Sequence, residues 1–80
     1  MNKFRVGDKV RVKNNINSKN WIGIYEFDEK MEKYIGEKLT IFSYEGDCYL
    51  LSECILNEED WAWEEDMLEL WKPYTNYERI

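Results

Sequence analysis

Residues 4–13 read FRVGDKVRVK, and their alternation decides the fold class. Val6, Val10 and Val12 fall on one side of a period-two pattern, and Lys9, Arg11 and Lys13 fall on the other. Gly7 and Asp8 read as a turn before the strand proper. The segment is therefore predicted to be a strand with one buried face and one basic, solvated face. A polar loop, NNINSKN over residues 14–20, follows it.

Similar signals recur along the chain. KLTIFSY (residues 38–44) and CYLLSE (48–53) read as two strands joined by a hairpin turn at Glu45-Gly46-Asp47. Tyr49 and Leu51 share one face of the second of these, with Leu50 on the other. A further turn and strand are expected across Ile55–Trp63. A tight turn is expected from Glu64 through Leu68, followed by a closing strand at Leu70–Trp71 that Pro73 stops. Between the first and second strands, Phe27, Met31 and Tyr34 have the spacing of one helix face. Asp28 is placed to cap that helix, Glu29 and Lys33 to pair along it, and Gly36 to end it. Short strands with turns every 8–12 residues imply an all-β domain. The expected architecture is a small SH3-like barrel of four to five antiparallel strands, with one short helical segment in its first long connection. Residues 1–72 form the barrel in this reading, and residues 73–80 are a C-terminal tail.

Eighty residues make one domain with a small core, and an aromatic share of 16% compensates. Each buried ring removes about 150–250 Å² from water. Charge is uneven. Residues 1–20 hold six bases and one acid, whereas residues 21–80 hold five bases and sixteen acids, for an overall charge of −6. An acidic protein repels nucleic acid, so nucleic acid is an unlikely partner, and a host protein with a basic surface is the expected one. The alternative meaning of the surplus is solubility alone. Cys48 and Cys54 are the only cysteines, and the chain has no histidine. They read as reduced thiols in a reducing cytoplasm, with a disulfide across a turn as the alternative. No metal-ligand spacing, signal segment or membrane-length apolar run is present, so a cytoplasmic protein is expected.

No phosphate-binding loop, nucleophile elbow or dinucleotide fingerprint occurs, and without histidine the commonest general base is missing. Neither an enzyme nor a cofactor is expected. What remains is NEEDWAWEED, residues 57–66, in which two tryptophans are flanked by three acids on each side. Trp63 is expected to complete the core by packing on Val10, Val12 and Ile41. Trp61, Glu58, Glu59, Asp60, Glu64, Glu65 and Asp66 form the candidate partner-binding surface. A fixed array of carboxylates there would imitate the phosphates of duplex DNA, which carries about one negative charge per 1.7 Å of axis. The ordinary alternative is a row of solvated acids that discourages edge pairing. A second candidate is an aromatic pocket of Trp21, Tyr25 and Tyr44 with Arg11, suited to stacking a nucleobase and holding a phosphate.

Three stretches in order, FRVGDKVRVK, MEKYIGEKLTI and WAWEEDML, resemble small uncharacterised proteins of bacteriophages and prophages. These carry a G-D-x-V-x-V strand, an M-x-x-Y-x-G turn, and W-x-W followed by D-M-L. The resemblance spans residues 4–70 and implies an SH3-like fold and a phage or prophage origin. It implies no activity. In that setting the expected function is non-catalytic inhibition of a host defence or nucleic-acid-handling protein, such as a nucleic-acid-guided nuclease. A nucleotide-sequestering protein, a nucleic-acid binder using Lys9, Arg11 and Lys13, and a structural accessory module are the alternatives.

Overall fold

The computed structural model describes residues 3–71. Four strands, β1 (Lys9–Val12), β2 (Leu39–Glu45), β3 (Cys48–Leu51) and β4 (Leu68–Leu70), form one antiparallel sheet in the order β3-β2-β1-β4. The sheet is open, because no ladder joins its two outer strands among the described residues. The expected tail at residues 73–80, and Pro73 with it, lie outside those residues.

β1 follows its alternation. Val10 and Val12 are buried, and Lys9 and Arg11 face the other way. Val6 does not share their face. Gly7 adopts a φ of 94°, and the Asp8 carboxylate accepts from the Arg5 amide at 3.0 Å, so the chain turns before the strand begins. That turn leaves Val6 in solvent and puts Phe4 in the core instead, edge-on to Tyr49 at 5.4 Å. The β2–β3 hairpin forms as expected, with Gly46 at φ 71° between Glu45 and Cys48. A bulge between Ile41 and Ser43 shifts its register.

The largest departure follows β3. No strand covers residues 52–62; Ser52–Leu56 form a short helix, α1, instead. Its one buried residue, Cys54, faces the core, which is too little periodicity to read from five residues. The helix is followed by Glu58 in the left-handed region, with φ 61°. Amides of Glu58 and Glu59 then bond back to Ile55 and Cys54 carbonyls at 2.8 Å, which reverses the chain. Of the expected strand there remains only one bridge. Trp63 and Tyr49 exchange backbone hydrogen bonds of 2.8 and 3.0 Å. A 3-10 helix at Glu65–Met67 then delivers β4 to the far side of β1.

The long first connection holds a 3-10 helix at Glu29–Tyr34, capped by Asp28, whose carboxylate accepts from the Lys30 amide at 2.8 Å. Met31 and Tyr34 are buried on it, and Phe27, just before the cap, is buried with them as their spacing requires. Trp63 is fully buried in the same cluster as Val10, Val12 and Ile41. Its ring meets Phe27 at 6.0 Å and Tyr34 at 5.9 Å, both edge-on. Cys48 and Cys54 are free, buried thiols, and burial pushes both pKa values up.

Candidate functional site

The carboxylates of residues 58–66 do not act alike. Glu59 is built into the fold. Its side chain accepts hydrogen bonds from the Tyr34 hydroxyl at 2.6 Å, the Lys33 ammonium at 2.8 Å and the Trp61 indole at 3.2 Å. The lysine and the tyrosine, in that order, hold its pKa down at about 2. Tyr34 is raised in turn, first by burial, while Asn57 donates to its oxygen at 3.1 Å and opposes that shift. Glu64 is also engaged. One of its oxygens accepts from the Ile24 and Tyr25 amides at 2.9 and 3.0 Å, which ties the first connection to this segment. Glu65 is half-buried beside Tyr44, whose pKa burial raises. Glu58, Asp60 and Asp66 are exposed, and their carboxylates have no hydrogen bond or ion pair among the described residues. Trp61 is half-buried against the core and spends its N–H on Glu59.

The second expected cluster is assembled only in part. The Trp21 indole donates to the Tyr25 carbonyl at 2.8 Å. The Tyr25 hydroxyl donates to Asp47 at 2.5 Å, and that bond is the main cause of a pKa raised to about 12. Tyr44 packs on Tyr49 at 4.9 Å and lies within the field of the same Asp47. Arg11 is not with them. Its guanidinium pairs with Glu69 on β4 at 2.7 Å and lines a separate hollow with Lys3, Phe4 and Leu70. A nucleotide bound by the aromatics would therefore lack the expected phosphate partner. Lys9 likewise spends its ammonium on the Thr40 hydroxyl, at 3.0 Å.

Sequence reasoning missed one further feature. A groove of about 490 Å³ runs between the first 3-10 helix and α1, lined by Lys33, Tyr34, Glu37, Leu39, Glu53, Asn57 and Glu59. Two of its three carboxylates are already occupied, since Glu53 accepts from the Thr40 amide and hydroxyl at 2.7 and 2.9 Å. No local pattern announces it, because its walls come from four separate segments. Among the described residues no helix is long and apolar enough to cross a membrane, and no group of three metal-ligating side chains converges. The chain matches no protein-family model, no curated protein and no solved structure.

Proposed function

We propose that this chain is a non-catalytic, phage-type protein-binding module on an SH3-like barrel, and that its free carboxylates engage a basic surface of a host protein. The path of the chain supports the barrel reading. A long connection separates β1 from the β2–β3 hairpin, the returning segment bridges β3 at Trp63, and a 3-10 turn leads to a last strand beside β1. One observation carries the functional reading. Among the described residues Glu58 is the only non-glycine residue at positive φ, and it stands where helices favour glycine. The conformation costs a side-chain-bearing residue about 1–2 kcal/mol. The carboxylate gained in exchange is exposed and makes no hydrogen bond or ion pair among the described residues, so the fold does not explain it. Together with Asp60 and Asp66 it offers fixed negative charge to a cationic groove of the kind that otherwise holds nucleic acid.

Two outcomes check this. Glu58→Gly relieves the backbone and gives some of the gain back as unfolded-state entropy, so a net stabilisation of roughly 0.5–1 kcal/mol is expected in guanidinium titrations. The same variant is expected to bind its partner more weakly. In capture experiments from host lysate, a protein retained at low salt is expected to be lost on Glu58→Lys/Asp60→Lys/Asp66→Lys and released as salt rises. Equal retention by that variant, or binding indifferent to salt, would overturn the reading. Glu59 and Glu64 stay unchanged in these tests because they hold the fold together.

A further inference from the structure

We propose that residues 21–26 form a preformed docking finger, which inserts Ile22 and Ile24 into an apolar pocket, rimmed by lysine or arginine, on a protein partner. The proposal deepens the protein-binding reading and rests on it.

Six large apolar side chains are exposed among the described residues: Val6, Ile22, Ile24, Phe42, Leu56 and Leu70. Single exposed apolar residues are ordinary on any protein surface. Ile22 and Ile24 differ because they stand two residues apart, at 94% and 76% exposure, on one loop. That loop is not slack. The Trp21 amide bonds to the Asn17 carbonyl at 3.1 Å, and the Trp21 indole bonds to the Tyr25 carbonyl at 2.8 Å. The Glu64 carboxylate takes the Ile24 and Tyr25 amides together, and the Tyr25 hydroxyl is held by Asp47. Hydrogen bonds to a charged acceptor are the stronger kind. Gly23 permits the arrangement. A Cβ there would lie 2.6 Å from the Trp21 ring and 2.7 Å from the Glu64 carboxylate. Only a residue without a side chain lets the turn close over both, and that closure leaves its two neighbours pointing outward.

A loop ordered before binding loses little freedom on association, and aliphatic side chains held in solvent gain free energy when a pocket covers them. Charge selects the occupant. The acids beside the finger are Glu26 within the loop itself, and Asp47 and Glu64 in contact with Tyr25. Such a rim repels an anionic bilayer and a second copy of this acidic chain, and it complements a basic one.

The test is panning of a helical-repeat protein library with a randomised concave face against the wild-type chain. Binders with an apolar centre and a Lys/Arg rim are expected, and their affinity should fall at least tenfold for Ile22→Ser/Ile24→Ser. That variant is expected to keep the wild-type melting temperature, since neither side chain is buried. Gly23→Ala is expected to weaken the same binders by disturbing the clamp while both isoleucines remain. Recovery of no binder, binders indifferent to the isoleucines, or binders with an acidic rim would overturn the proposal. So would isoleucine-dependent dimerisation, or isoleucine-dependent binding to phosphatidylcholine vesicles. The parent reading fails separately, through lysate capture that ignores Glu58, Asp60 and Asp66.

Discussion

Trp63→Ala is expected to remove about 3–5 kcal/mol, a large share of the stability of so short a chain, whereas Trp61→Ala is expected to cost about 1 kcal/mol or less. The two indoles stand two residues apart in one acidic stretch, but only Trp63 has no exposed surface. Truncating a fully buried tryptophan costs about 3–5 kcal/mol. A small domain has a total stability of roughly 5–15 kcal/mol, with the shortest chains at the low end. Alanine also removes the ring that Phe27 and Tyr34 both meet edge-on, and so loosens the connection that carries the docking loop. Trp63→Phe supplies a finer test. Among the described residues the buried Trp63 indole N–H makes no well-formed hydrogen bond, with only the Cys54 thiol acting on it as a weak sulfur partner, so phenylalanine removes a poorly satisfied donor along with ring volume. Its cost should fall well below that of alanine, at about 1–3 kcal/mol. Denaturant titrations followed by near-ultraviolet circular dichroism measure all three variants. Equal losses for Trp61→Ala and Trp63→Ala would refute the division of the segment into a core residue and a surface residue.

Glu59→Gln is expected to lower the melting temperature at neutral pH and to flatten the acid limb of the stability curve. Glu59 joins the first 3-10 helix to the chain beyond α1 through Lys33 and Tyr34. Glutamine keeps an oxygen for the tyrosine but loses the charge that attracts the lysine. The sign of the pH effect follows from a folded-state pKa of about 2 against an ordinary value of 4.5. A carboxyl depressed on folding contributes stability that is complete above its unfolded pKa and lost as pH falls through the folded one. The gap between wild type and Glu59→Gln should therefore be constant above about pH 5.5 and close between about pH 4.5 and pH 2. Melting curves at half-unit pH steps give this directly. A gap that does not change across that window would show that the carboxylate is not held by Lys33 and Tyr34 as the geometry has it.

The two kinds of carboxylate call for different variants of the acidic stretch. Reversing Glu58, Glu59 and Asp60 together would confound recognition with stability, since Glu59 is a strut and its neighbours are not. The variant that isolates recognition changes Glu58, Asp60 and Asp66. Nothing in NEEDWAWEED distinguishes these residues, because a carboxylate's role depends on the donors that reach it. The Glu59 donors are at positions 33, 34 and 61, and the Glu64 donors are at 24 and 25.

What the amino-acid order determined by itself was local. Period-two alternation set β1, a carboxylate next to its own backbone capped the first 3-10 helix, and glycine at positive φ turned the β2–β3 hairpin. Each of these is decided within a few residues, by sterics or by a side chain bonding its own chain. Tertiary structure alone decided the rest. It sent Arg11 to Glu69 instead of to the aromatics, and it sorted the acids into struts and free charges. The physical reason is separation along the chain. The bonds that settled these roles span 25 residues from Tyr34 to Glu59, 40 from Ile24 to Glu64 and 58 from Arg11 to Glu69. Partners that far apart meet only once the sheet has brought them together.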